Sequence, residues 1–143
     1  MKILVLNGPN LNMLGIREPD IYGKENYGAL VDYIKAAASE AGVTVDVMQS
    51  NHEGVLVDRI QEAYGKYDAI VINPAAYTHT SVAIADALSA VAMPVVEVHL
   101  SDITKREPFR RHSFVAPIAQ RTYMGKGFAG YRLAIRYLAL GEE

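Results

Sequence analysis

Four short apolar runs limit what this chain can fold into: "KILVLN" (2–7), "VTVDVMQ" (43–49), "DAIVIN" (68–73) and "PVVEVHL" (94–100). Each is rich in Val or Ile, the pattern of strands buried on both faces. A fifth, weaker strand is expected near "SFVAP" (113–117). Between the runs the apolar spacing becomes helical. Residues 26–41 set Tyr27, Leu30, Val31, Ile34, Ala38 and Ala41 on one face, and Gly42 supplies a stop. Residues 53–65 align Leu56, Ile60 and Ala63. Residues 80–92 are apolar almost all round, as expected of a helix covered by the sheet on one side and by another subunit on the other. Residues 128–140 separate Tyr131, Ala134, Ile135 and Leu138 from Arg132 and Arg136. Strand–helix alternation predicts an α/β protein, a flavodoxin-like three-layer α/β/α sandwich on a five-stranded parallel sheet. At 143 residues, half of them apolar, the chain suits a single domain, 1–143, with its own core.

Composition removes several classes of function. The net charge of −2 offers no basic surface for nucleic acid. No apolar run approaches the roughly 20 residues of a membrane helix. The opening "MKILVLNGPN" lacks a small-residue cleavage pattern and reads as a first strand, not a signal peptide. The absence of cysteine excludes disulfides, thiolate metal sites and Cys nucleophiles, and makes a cytoplasmic location the expectation. His52, His79, His99 and His112 form no i, i+4 pair and no zinc spacing, so no metal is expected. No Walker motif is present, and a nucleotide cofactor is not expected.

In open parallel sheets, ligands bind beyond the carboxyl ends of the strands. The unusual polar residues gather there: "NGPNLNMLG" after the first strand, "NPAAYTHTS" after the third and "EVHLSD" at the end of the fourth. Alternation along the fourth strand puts Val95, Glu97 and His99 on one face and Val96, Val98 and Leu100 on the other. A buried Glu beside a buried His is costly unless paired. The two form either a structural pair or a His held for acid–base work. Thr80 or Ser81 is expected to cap the third helix, or its backbone amides to hold an anion. His79 is either a surface residue or a donor to a ligand oxygen. Ser101 is placed to donate to a carboxylate. Arg106, Arg110 and Arg111 form either a solvated charged loop or, at this edge, a contact for an anionic, oxygen-rich ligand. "NGPN" is a turn first and an anion nest second. The connection "REPDIYG" (17–23) is long and charged for so small a chain and leaves the same end of the sheet.

Taken together, "NGPNLNMLGIREPDIYG", "QSNHEG", "NPAAYTHTS" and "EVHLSDITKREPFRRHS" resemble type II 3-dehydroquinate dehydratase, in order and over nearly the whole chain. The resemblance implies a cytoplasmic homododecamer built from trimers, with no metal or organic cofactor. It implies anti elimination of water from 3-dehydroquinate through an enolate, giving 3-dehydroshikimate, in the shikimate pathway of aromatic biosynthesis or in quinate breakdown. By the same resemblance Tyr22 is the base, Arg17 activates it, His99 is the acid supported by Glu97, and Asn10 orients a water against the enolate. Asn73, His79, Leu100, Ser101 and Arg110 bind substrate, Arg106 belongs to the lid region, and Asp86 reaches in from a neighbouring subunit. Residues 11–25 form the lid. The chain departs from the family at Ala75, where Gly is frequent, and at Ala85, where many members carry Arg.

A free Tyr has a pKa near 10, too high for a base at neutral pH. An Arg about 4 Å away, at an effective dielectric near 20, favours the tyrosinate by about 4 kcal/mol. That is enough to bring its pKa from about 10 to about 7. Two rivals and the enzyme's other, Schiff-base type differ in what they need, and a catalytically dead homologue is disfavoured because the proposed acid and base are both present. A non-enzymatic module binding a small anion needs no acid–base pair. A flavin carrier needs a Ser/Thr-rich phosphate loop after the first strand. A Schiff-base Lys enzyme needs a Lys in a strand core and a barrel of about 250 residues.

Overall fold

A computed structural model describes residues 1–16 and 25–143. Five parallel strands form one sheet: β1 (Lys2–Asn7), β2 (Thr44–Gln49), β3 (Ala69–Asn73), β4 (Val95–His99) and β5 (Arg121–Met124). Their order is β2-β1-β3-β4-β5. The order reverses between β1 and β3, as in flavodoxin-like sheets, so the crevice at their carboxyl ends is where a ligand is expected.

Among the described residues, α1 (Tyr27–Glu40), α2 (Glu53–Ala63) and α3 (Val82–Val91) connect successive strands, and α4 (Ala129–Leu140) follows β5. Alternation along the strands divides the core in two. Leu4, Leu6, Ile70, Ile72 and Val95 face Leu56 and Ile60 of α2 and Ile84 and Leu88 of α3. Ile3, Val5, Val71, Val96 and Val98 face Leu30 and Ile34 of α1 and Tyr131, Ala134 and Ile135 of α4. Each fully buried Leu or Ile side chain contributes about 2 kcal/mol. The helix starts are set locally. Asn26 Oδ1 accepts the Ala29 N–H at 2.8 Å and caps α1. Ser81, rather than Thr80, caps α3 by accepting the Ile84 N–H at 2.9 Å. Gly42, at φ 74°, ends α1 in the left-handed conformation.

The fifth strand is not at 113–117. That segment is irregular, and β5 is Arg121–Met124, the half-buried edge strand paired with β4. Val115 is apolar because its side chain enters the α2–α3 core from a turn, and Ser113 has a separate task at Glu97. The outer face of α3 carries Val82, Ala83, Asp86, Ser89 and Ala90, all exposed in the single chain. Among the described residues, no helix is long and apolar enough to cross a membrane.

Candidate functional site

A cavity of about 480 Å³ opens at the carboxyl ends of β1, β3 and β4. Its walls are the three segments that the sequence singled out.

The β1 wall depends on a close approach of two backbones. The Gly8 N–H donates to the Asn73 carbonyl at 2.8 Å. A Cβ on Gly8 would lie 2.4 Å from the Pro74 carbonyl oxygen, so only glycine fits. Asn10 then takes a left-handed conformation, φ 70°, which Asn tolerates better than most residues. The "QSNHEG" segment fixes this turn. Asn51 Oδ1 accepts the Asn10 N–H at 3.0 Å. Gln49 Nε2 donates to the Gly8 carbonyl at 3.1 Å and to Asn51 Oδ1 at 3.2 Å. The Tyr77 hydroxyl donates to the Asn51 carbonyl at 2.8 Å and so ties the β1 and β3 walls together.

On the β3 wall, Asn73 is buried beside Asn7, its register partner on β1. The fully buried Tyr131 hydroxyl donates to Asn7 Oδ1 at 2.6 Å and accepts from Asn73 Nδ2 at 3.1 Å. Burial pushes the Tyr131 pKa well above the ordinary tyrosine value, so it stays a neutral donor. Asn73 Oδ1 accepts the Ala75 N–H at 3.1 Å. Ala75 has φ 54°, so its methyl group bears on the site through backbone conformation. A non-glycine residue there carries about 1–2 kcal/mol of strain. His79 Nδ1 donates to the His112 carbonyl at 2.8 Å. In the neutral ring this leaves Nε2 as an acceptor on the cavity side.

On the β4 wall, Glu97 and His99 are both buried, and His99 Nε2 lies 2.6 Å from Glu97 Oε2. Ser113 donates to the same oxygen at 2.6 Å and Thr122 to Oε1 at 3.0 Å. Burial opposes a charge on Glu97, but the hydrogen bonds from His99, Ser113 and Thr122 outweigh it and hold its pKa below the ordinary carboxylate value. Glu97 is thus an ionised acceptor that orients the His99 ring, leaving Nδ1 for the cavity. Arg106 and Arg110 line the rim. Arg110 is ion-paired with Glu107. Arg111 turns back, its Nε donating to the Arg106 carbonyl at 2.6 Å.

Of the residues singled out in the sequence, Asn10, Asn73, His79 and His99 line this cavity together with Leu100, Ser101, Arg106 and Arg110. Glu97 stands behind His99. Asp86 lies outside the cavity, exposed on α3. Arg17 and Tyr22 fall outside the described residues, as does most of the 11–25 segment; its first residues, Leu11–Met13, form a single 3₁₀ turn. Sequence reasoning missed Ser113, Thr122, Asn51, Asn7 and the hydroxyl of Tyr131. The one available signal was "QSNHEG", a polar segment at the carboxyl end of a strand. Among the described residues, no cluster of three or more His, Asp or Glu side chains is arranged to hold a metal ion.

Comparison with known proteins agrees with this geometry. The family model described as dehydroquinase class II matches residues 1–139. A curated relative, 3-dehydroquinate dehydratase 2 of Pseudomonas aeruginosa, is 55% identical over 137 residues, covering 96% of this chain and 93% of its own. A catabolic 3-dehydroquinase of Aspergillus clavatus is 53% identical over 138 residues, covering 96% and 92%. The crystal structure of a type II dehydroquinase from Butyrivibrio crossotus superposes with a TM-score of 0.90 at 51% identity, covering 96% of this chain and 97% of that one. With its β2-β1-β3-β4-β5 sheet and its strand-end cavity, the chain belongs to the class II dehydroquinase family.

Proposed function

We propose that the cavity is where 3-dehydroquinate loses water to give 3-dehydroshikimate, making the chain a 3-dehydroquinate dehydratase, a hydro-lyase. The observation that carries this reading is the buried His99–Glu97 pair opening into an arginine-rimmed cavity, in a chain of this family. The reaction needs a base for the proton beside the ketone and an acid for the departing hydroxyl. Tyr22 takes the proton, with Arg17 favouring its phenolate. His99, oriented by Glu97, protonates the leaving hydroxyl and releases water. Charge that develops on the enolate oxygen is met by a water held at Asn10. Ser101, Asn73, the Leu100 backbone and Arg110 receive the ligand's carboxylate and hydroxyls, His79 accepts from a hydroxyl, and Arg106 works at the rim. No metal or organic cofactor takes part.

The chain is expected to work in the cytoplasm as a homododecamer of trimers, with Asp86 reaching toward a neighbour's cavity. Light scattering checks the mass. The pathway we assign is aromatic biosynthesis. Rescue of a strain that lacks this dehydration supports it, whereas restored growth on quinate alone favours the catabolic role. The direct test mixes protein with 3-dehydroquinate and follows the absorbance of the conjugated product. Tyr22→Phe and His99→Ala should each lower turnover by about 10²–10⁴-fold, the usual share of a general acid or base, with the oligomer intact. Near-normal turnover in either variant removes that residue's role. Activity should survive chelators.

A further inference from the structure

The polar system under the β1–β3 seam is more constrained than packing requires. The Tyr131 hydroxyl has one hydrogen and two buried amide neighbours, Asn7 Oδ1 at 2.6 Å and Asn73 Nδ2 at 3.1 Å. A backbone N–H can only donate, so the Ala75 N–H, 3.1 Å from the Asn73 side chain, fixes which end of that amide is oxygen. The nitrogen end therefore faces Tyr131. The phenol must accept from it and donate its single hydrogen to Asn7. Asn7 in turn places its own Nδ2 3.4 Å from the Tyr27 hydroxyl. Each step leaves one consistent direction for the next. Asn73 Nδ2 carries two hydrogens, and only one is used by Tyr131. Asn73 also lines the cavity while remaining 97% buried, at 3% exposure.

We propose that Tyr131 is a positioning residue: its buried hydroxyl holds the Asn73 amide so that the second Nδ2–H is presented to the cavity as a fixed donor to a carboxylate or hydroxyl oxygen of the substrate. The inference rests on reading the cavity as the substrate site. Without the hydroxyl, the buried nitrogen loses its partner and the amide turns away from the cavity to find another, because an unpaired buried donor is costly. Tyr131 touches no substrate atom and acts only through Asn73.

The test uses the full-length protein and 3-dehydroquinate. Tyr131→Phe keeps the ring and removes only the oxygen. It should raise KM about tenfold with a smaller change in kcat, as expected when one ligand hydrogen bond is lost from ground state and transition state alike. Asn73→Ala should raise KM at least as much, and the double variant should be no worse than Asn73→Ala alone. A purely structural role for Tyr131 predicts a lower melting temperature with KM unchanged, or effects that multiply in the double variant; either result overturns the inference. If Asn73→Ala raises KM while Tyr131→Phe does not, the positioning role fails and the substrate site stands. If Asn73→Ala is itself normal, the reading of Asn73 as a substrate contact fails first. A second measurement does not depend on turnover. The Asn73 side-chain amide resonances, identified by their loss in Asn73→Ala, should exchange with solvent faster in Tyr131→Phe, and unchanged exchange refutes the proposal. Should Tyr131→Phe fail to fold, Asn7→Ala asks the same question: it removes the acceptor that commits the phenol hydrogen, so the phenol no longer has to accept from Asn73 Nδ2, and KM should rise similarly. An unchanged KM there counts against the inference.

Discussion

Among the described residues, each face of the sheet buries a polar system at the cavity end, and the two are built from opposite materials. On the α2–α3 face, one charged group, Glu97, is surrounded by His99, Ser113 and Thr122. On the α1–α4 face, neutral amides and phenols, Asn7, Asn73, Tyr27 and Tyr131, satisfy one another. A buried charge needs several donors to offset its lost hydration, whereas a buried amide needs only correct pairing. The charged system is suited to moving a proton. The neutral one is suited to holding geometry still.

The largest effect expected on stability is from Glu97→Ala. It leaves His99, Ser113 and Thr122 without their shared acceptor, and should cost about 3–5 kcal/mol of stability, the range for a broken buried pair. Turnover should fall by about 10²-fold or more through a misoriented His99. Denaturant unfolding and the absorbance assay read the two effects. A variant as stable as the parent would make Glu97 dispensable to the fold. Next is Gly8→Ala at the seam of the neutral system, where a methyl group would meet the Pro74 carbonyl. Overpacking of this kind should cost about 1–3 kcal/mol and misplace Asn10; full stability would refute the close approach.

The contrast also predicts opposite ends of the pH–stability curve. Glu97 has a lowered pKa when folded, so on acidification the unfolded chain takes up the proton first. Its contribution is present above the ordinary Glu value of about 4.3 and is lost as pH falls through the folded value. Tyr131 has a raised pKa when folded, so its contribution is full below the ordinary Tyr value of about 10 and is lost as pH rises toward the folded value. Glu97→Gln should therefore make the acid limb shallower and Tyr131→Phe the alkaline limb. Neither limb vanishes, because the Tyr67 hydroxyl hydrogen-bonds Asp46, lowering the Asp46 pKa and pushing the Tyr67 pKa up to about 12. Melting temperatures across pH check this; matching limbs in parent and variant would erase the distinction.

The smallest effect belongs to Ala75→Gly. At φ 54° it relieves strain of about 1–2 kcal/mol, offset by roughly 0.4–1 kcal/mol from a more flexible unfolded chain. A net gain of about 0.5–1 kcal/mol is expected. A loss of stability would show that the left-handed turn is held by more than backbone preference.

The same contrast explains what the sequence revealed. Glu97 and His99 are two residues apart on one strand, so alternation alone places them together. The three central strands, β1, β3 and β4, were legible because burial on both faces demands apolar runs, and β2, the other edge, was legible because its half-buried face carries alternating valines, Val43, Val45 and Val47. β5 was not: an edge strand is half exposed, and "RTYM" carries no such demand, whereas "SFVAP" draws attention through Val115, which serves the core from a turn. The cavity rim was legible from the strand-end rule. The neutral system was not, because Tyr131 and Asn7 lie 124 residues apart and neither residue type signals its partner. Tyr131 read as one more apolar position on a helix face, and its hydroxyl left no periodic trace.

That separation along the chain has a consequence for synthesis. Residues from all three cavity walls emerge from the ribosome before α4 does, so a nascent chain can hold Asn10, Asn73 and His99 while Asn73 still lacks the hydroxyl that orients it. The first strand waits for the last helix. On the proposed role of Tyr131, a chain that stops short of α4 carries the acid and all three cavity walls but not the hydroxyl on which its substrate affinity depends.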